Sequence, residues 1–405
     1  MHSLTGGFCL ASSVIFELLG IIPTFLTIAS LCYCLTVVFA ARRFFSRPRL
    51  PHLPAYPPVS ILIPLCGADF RAYENYVSLI RQDYPDFQIV FGVRDPQDSS
   101  IALVRKLRAD FPLIPIDLVV SAEEIGQNPK VNNLNNMLAT TRHDTLVLLD
   151  SDIRVGPDFL KTLAAELHET KNGLVTCLYR AGEALGTAST LEALGITAEF
   201  APGVLVAEAA GGVSFAFGAA IAVTKNTLQT AGGFPAIADY LADDYMLGNL
   251  VREAGFPVRL SAYVVETVLS QLTFRGFIKH QVRWARGIRA CGPWGHTGSV
   301  ITNAIVISFL CLLTSGFSPF GWSLFVGAVA VRMAMAWLVG VRGLGDKILK
   351  QNFLLIPLRD LFSFFFWCAA LCGSRVEWRG KTFRLMRGGK MRPLPPDNYP
   401  GVSGA

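Results

Sequence analysis

"LLDSDIRV", residues 148–155, is the stretch on which the reading of this chain turns. An aliphatic run ends on two aspartates, Asp150 and Asp152, separated by one serine. Residues i and i+2 of extended backbone point to the same side, so the two carboxylates can reach one object. Like charges held close are costly unless a cation lies between them. Hard carboxylate oxygens suit Mg2+ or Mn2+, which commonly bridge to phosphates. The competing reading of the same residues is an Asp-rich turn that caps the following helix.

Working outward, "VSILIPL" (59–65), "FQIVFGV" (87–93) and "IDLVVS" (116–121) are further short aliphatic and β-branched runs bounded by turn residues. Helical patterns lie between them, over residues 73–81 and 99–110. Strand and helix alternating in this way predict an α/β domain with a largely parallel sheet, spanning residues 57–297. Such sheets bind ligands at the carboxyl ends of their strands. Asp95 ends the second run, and Asp150 and Asp152 end the fourth.

Other polar groups collect near these ends. "GQNPKVNNLNNM" (126–137) places Lys130 where it can meet a phosphate, although a solvated helix start has the same pattern. "ADYLADDYMLG" (238–248) supplies Asp243 and Asp244 at the start of an amphipathic segment, where compensation of the helix dipole is the alternative role. "HQVRWAR" (280–286) sets Arg283 beside Trp284, with His280 one turn earlier; interfacial anchoring is the competing account.

Outside that region the chain is apolar. It has 405 residues, 52% hydrophobic and 16% charged, with a net charge of +6. Residues 18–41 carry no charge, are long enough to cross a bilayer, and are followed by "ARRFFSRPR" (41–49). This predicts an N-terminal membrane anchor within residues 1–50. A Pro-rich linker, "RPRLPHLPAYPP" (47–58), separates it from the α/β region. The cluster Arg42, Arg43, Arg47 and Arg49 puts the middle of the chain in the cytosol by the positive-inside rule. Residues 298–374 form a second membrane region, with spans expected at 301–316 and 322–341. Lys347 and Lys350 lie on the cytosolic side if both cross. The stretch 353–373 is interrupted by Pro357, Arg359 and Asp360, and a full crossing would carry the basic tail (375–405) to the wrong side. It is therefore expected to be re-entrant or interfacial. Arg332, Arg359 and Asp360 are functional candidates, because membrane charges are expensive.

The positive charge implies anionic lipid head groups as neighbours and gives no reason to invoke nucleic acid. The nine cysteines show no metal-binding spacing and are expected to be reduced, packed thiols.

Taken together, "PLCGADF", "QDYPDFQIVFGVRDPQD", "NPKVNNL", "DSDIRVGPD", "LADDY", "RW" and "WRGKTFRL", in that order, resemble the family 2-like glycosyltransferases of GT-A fold. More closely, they resemble glycosyltransferase family 21, the ceramide glucosyltransferases and bacterial hopanoid-associated transferases. The resemblance implies a Rossmann-like cytosolic domain held at a bacterial inner membrane. It implies inverting transfer of one sugar from a UDP-sugar to a membrane lipid hydroxyl. UDP-glucose with ceramide is one pairing and UDP-N-acetylglucosamine with a hopanoid the other. It also implies that Asp95 contacts the nucleotide, that Asp150 and Asp152 hold the metal and diphosphate, and that Asp244 is the base. Asp243 stands where the family usually has Glu. Arg283 and Trp284 match the end of the Gln/Arg-x-x-Arg-Trp signature, with His280 in its first position. Rival readings are a processive polysaccharide synthase and a non-catalytic lipid-binding scaffold.

Overall fold

The four expected strands are all present: β1 (Val59–Pro64), β2 (Phe87–Val93), β3 (Ile116–Val120) and β4 (Thr145–Leu149). The computed structural model describes residues 4–48, 50, 53–168 and 173–395, with side chains from residue 20 onward. Arg49 of the basic cluster, part of the linker and the tail beyond residue 395 lie outside the described residues. The two expected helices are there as Ala72–Ile80 and Ser100–Asp110.

Strands β1 to β4 pair in parallel in the order β3-β2-β1-β4. The connection from β1 runs first to one side and later to the other, so a crevice opens at the carboxyl ends of β1 and β4. Four further strands come next: β5 (Ile153–Arg154), β6 (Leu174–Ala184), β7 (Ala220–Thr224) and β8 (Val258–Leu269). They extend the sheet as β4-β7-β6-β8-β5. Here β7 runs antiparallel to both β4 and β6, and β5 antiparallel to β8. The sheet is thus mixed, and its parallel half is the part the sequence pattern predicts.

Alternate residues feed two cores. Ile61, Ile63, Phe91, Val147 and Leu149 face one, against helices Ala72–Ile80, Ser100–Asp110 and Phe159–His168. Leu62, Val90, Leu146 and Leu148 face the other, against Pro129–Met137, Ala201–Ala209 and Asp243–Glu253. Strands covered on both faces read as continuous apolar runs, which is why they stand out in the sequence.

The second core also contains Cys34, Val37, Ala40 and Phe44, from the end of the first helix (Leu4–Phe45). Arg47 pairs with Glu208 at 2.8 Å. Despite the Pro-rich segment after it, the first helix shares a core with the α/β domain.

Four helices among the described residues are long and apolar enough to cross a membrane: Gly20–Phe45, Gly186–Ala209, Pro319–Gly343 and Phe353–Leu371. The second was not among the expected spans. The last covers the stretch expected to be re-entrant or interfacial. It is a 3-10 turn, Phe353–Leu355, running into a 16-residue α-helix, Ile356–Leu371, with Pro357 in the first turn of the latter, where no amide hydrogen bond is lost. A break lies earlier in the chain, where Pro293–Thr302 and Ala304–Thr314 meet at 68°.

The tail is folded. β9 (Arg375–Trp378), β10 (Lys381–Leu385) and β11 (Met391–Pro393) form an antiparallel sheet. Val376, Phe383, Leu385 and Met391 pack it against Leu241 and Ala290. The tail therefore covers the approach to Asp243 and the helix Phe274–Cys291.

Candidate active site

Asp150 and Asp152 occupy the turn from β4 into β5, at the carboxyl edge of the sheet. β8 holds that turn: the Val268 amide donates to the Asp152 carbonyl at 2.9 Å, and Thr267 Oγ1 donates to Asp152 Oδ2 at 2.6 Å. Ser151 between them donates its hydroxyl to Asp69, in the loop after β1.

Lys130 reaches the same place from the helix Pro129–Met137. Asn128 caps that helix, its Oδ1 accepting from the amides of Lys130 at 2.9 Å and Val131 at 3.2 Å, with Pro129 in the first turn. Asn128 Nδ2 donates to Asp243 Oδ1 at 3.2 Å, tying this helix to the start of Asp243–Glu253. Lys130 Nζ then lies 2.6 Å from Asp150 Oδ1 and 3.8 Å from Asp243 Oδ2.

Asp244 closes the ring. Its Oδ2 accepts from the Gly218 amide at 2.6 Å and its Oδ1 from the Tyr245 amide at 2.8 Å. Gly218 is the point of convergence. A Cβ there would lie 2.8 Å from Lys130 Nζ, 3.2 Å from Asp150 Oδ2 and 3.3 Å from Asp244 Oδ2. Asp243 and Asp244 do sit in the first turn of their helix, so dipole compensation and membership of this cluster hold together.

Several carboxylates around one lysine set the electrostatics. Burial works against the charge on Lys130, but Asp150, Asp243 and Asp244 outweigh it and raise its pKa. Burial pushes Asp152 up to about 7, with the Asp150 charge adding to it and the Thr267 hydroxyl opposing. Burial and then Asp243 push Asp244 up to about 6, against Lys130 and the two amides. Burial likewise raises Asp243, with Lys130 opposing.

A second group stands on the helix Phe274–Cys291. His280 Nδ1 lies 2.9 Å from Glu192 Oε1, and the His280 and Trp284 rings are 4.9 Å apart. Burial lowers the Arg283 pKa to about 10; Glu192 opposes this, and the charge of Arg379 adds to it. Tyr179 links the two groups. Burial raises its pKa well above the phenol range, and the charges of Asp244, Asp150, Asp152 and Glu192 add to the effect.

Asp95 stands apart from this cluster. It is exposed, accepts the Gln97 amide at 2.8 Å, and makes no ion pair among the described residues. The neighbouring Asp98 is the tied carboxylate, accepting from the Gly67 amide at 2.8 Å and the Ser100 hydroxyl at 2.6 Å. It joins the loops after β1 and β2.

Sequence reasoning missed Gly218, Glu192, Tyr179 and Arg379. An acid inside an apolar helical stretch was a usable signal for Glu192; the others carry none. Arg379 and Gly380 are the two-residue turn of the β9–β10 hairpin, at φ 50° and 75°. That turn favours Asn or Gly first. Arg379 instead reaches across to the Cys66 carbonyl, 3.4 Å away in the loop after β1.

Among the described residues no three His, Cys, Asp or Glu side chains form a metal cage. The pair Asp150 and Asp152 can supply part of one.

The family model for glycosyl transferase family 21 matches residues 22–391. Ceramide glucosyltransferase 1 of Caenorhabditis elegans is 26% identical over 86% of this chain and 77% of its own length. Ceramide glucosyltransferase 3 of the same organism is 23% identical over 89% and 81%. In structure the chain is similar to a mannosyltransferase of Pyrobaculum calidifontis, solved in complex with GDP-Man and Mn2+. The TM-score is 0.55 at 18% identity, covering 87% of this chain and 97% of that one. Fold and family together define a glycosyltransferase. The chain belongs to glycosyltransferase family 21.

Proposed function

We propose that this enzyme transfers a single sugar, with inversion, from a UDP-sugar to the hydroxyl of a membrane lipid, as a ceramide glucosyltransferase does. The observation that carries the reading is the convergence of Lys130, Asp150 and Asp244 around Gly218, where a Cβ would lie within 3.3 Å of all three. Cation, metal-type carboxylate and base-type carboxylate meet there without a side chain between them.

The acceptor oxygen attacks the anomeric carbon as the bond from that carbon to the diphosphate oxygen breaks. The electron pair leaves with the nucleoside diphosphate, and the acceptor proton passes to Asp244. Such a state is oxocarbenium-like. Asp244 is suited to the task, since a base with a pKa of about 6 is ionised at neutral pH yet accepts a proton readily. Lys130, Arg283 and Arg379 supply positive charge for the departing diphosphate. His280, held by Glu192, keeps Trp284 in place as an apolar wall for the sugar.

Asp150 and Asp152 fit a divalent ion, Mg2+ or Mn2+. Burial, and then the Asp150 charge, raise the pKa of Asp152, and a cation held between the two carboxylates would offset both. When bound, such an ion would be held by Asp150 and Asp152 and would neutralise charge on the diphosphate. Asp95, exposed at the end of β2, is left to the nucleotide side of the crevice.

The apolar helices hold this site at the cytosolic face of a bacterial inner membrane, with Arg42 and Arg43 at the cytosolic end of the first. A lipid acceptor then reaches it without leaving the bilayer. Residues 1–50 serve as anchor, 57–297 as the GT-A domain, 298–374 as the second membrane region, and 375–405 as the cytosolic tail.

The test is transfer by the purified protein in phospholipid nanodiscs with Mn2+, read by mass spectrometry of extracted lipid. UDP-glucose with ceramide is expected to give ceramide plus one hexose. A hopanoid tetrol gaining one N-acetylhexosamine from UDP-N-acetylglucosamine establishes the alternative pair. A polymer, or no lipid product from either pair, overturns the reading.

A further inference from the structure

Away from the site, buried polar atoms without partners collect in one place among the apolar helices. Arg332, 2% exposed, donates through Nη2 to Asp360 Oδ1 at 2.7 Å, while its Nε and Nη1 bond to nothing. Asp360 Oδ2 and the Tyr33 hydroxyl are also unpartnered. One helical turn from Asp360, Ser363 donates to Glu199 Oε2 at 2.6 Å, and Arg359 pairs with the same oxygen at 2.9 Å. Tyr33, Glu199, Asn303, Arg332, Asp360 and Ser363 line a cavity of about 10 Å³. That is space for about one water-sized group.

Two routes join this cavity to the catalytic cluster. Arg359 donates to Gln281 Oε1 at 2.9 Å, and Gln281 follows His280. Glu199 precedes Phe200, whose ring lies 5.3 Å from that of Tyr179. Both residues belong to a π-helical segment, Ile196–Phe200, which interrupts the helix that also carries Glu192. Such segments concentrate at functional sites.

We propose that this cavity is a subsite for one polar group, a hydroxyl or amide, of an uncharged acceptor lipid. The inference rests on the function proposed above. Two arginines face two carboxylates, so the formal charges cancel and the cavity does not demand an anionic phosphate. The unpartnered atoms include donors (Tyr33, Arg332) and an acceptor (Asp360), the complement of a hydroxyl or amide. The volume matches one such group taking the place of a water.

Tyr33→Phe tests this, because the hydroxyl it removes makes no hydrogen bond within the protein. The probe is ceramide in phosphatidylcholine nanodiscs. Expected are an acceptor KM higher by about five-fold, the effect of one hydrogen bond, and an unchanged KM for the UDP-sugar. Acceptor-independent hydrolysis of the donor is also unchanged. Independently of turnover, ceramide is expected to raise the Tm of the parent, and to raise that of Tyr33→Phe less. Equal ceramide-induced shifts, no shift in either protein, or a parental acceptor KM in the variant would mean that the cavity holds a structural water only. Failure of the function itself looks different: no glycolipid forms even where ceramide stabilises the parent.

Discussion

The Gly218 amide donates to Asp244 Oδ2 at 2.6 Å, and the same glycine leaves the gap that Lys130 and Asp150 enter. One residue both orients the proposed base and makes room for its partners. Its φ is not positive, so the need for glycine here is one of space.

Gly218→Ala is therefore expected to fold and to lose activity. The new methyl displaces Lys130 and Asp244, and misplacement of catalytic groups on this scale costs on the order of 10²-fold in kcat/KM. Tm by differential scanning fluorimetry, with steady-state kinetics, checks both halves. Near-parental kcat/KM would remove Gly218 from the site.

Asp244 must be ionised to take a proton, and its pKa is pushed up to about 6. The rate should rise with pH through that value and level off above about pH 7, one unit beyond it. Asp244→Asn should lose this limb and about 10²–10⁴-fold of the rate, with donor affinity kept within a few fold. The sign for stability is opposite. A carboxyl whose pKa is raised by folding opposes the folded state once pH exceeds its unfolded value. The Asn variant should thus be no less stable than the parent at pH 7.5.

Removing divalent ions with EDTA should abolish turnover, and Mn2+ or Mg2+ should restore it. Asp152→Asn removes one proposed ligand and should weaken both UDP binding and turnover. It also relieves repulsion from Asp150, so its Tm should not fall. Isothermal titration with UDP, with and without Mn2+, reads the loss directly. Full activity in chelator excludes the metal role.

Arg379 sits at a turn position that glycine would fill without strain. Arg379→Gly should relieve about 1 kcal/mol of backbone strain, raising Tm. It should at the same time raise the donor KM about ten-fold through loss of a charge-assisted contact. A higher Tm with an unchanged donor KM would make the turn purely structural.

How much of this was legible depended on where residues find their partners. β1 to β4 announce themselves because both faces are covered and each strand reads as an unbroken apolar run. β6 and β8 do not, since "LVTCLYRAGEA" and "VRLSAYVVETVL" carry charges toward half-buried surfaces. Asp150, Asp152, Lys130, Asp243 and Asp244 were readable as chemistry at strand and helix ends. The structure brings these five together. Asp95 matched a motif equally well, yet bonds only to its own turn. Gly218 and Arg379 act through residues far from them in sequence, and no local pattern marks them. In the 353–373 stretch Pro357 leaves the helix intact because a helix tolerates proline in its first turn.

The packing of Cys34, Val37, Ala40 and Phe44 into the core beneath β4 and β7 makes the first helix something other than a tether. A tethered domain could rise and tilt above the bilayer by the length of its linker. Here the helix and the sheet share one core, so on the proposed membrane placement the height of Asp244 above the lipid is set by side-chain packing. On the proposed function, acceptors are then sorted by how far their hydroxyl stands out from the bilayer as well as by their shape. Cutting the chain after the anchor would leave a domain with an open apolar face and no fixed distance to its substrate.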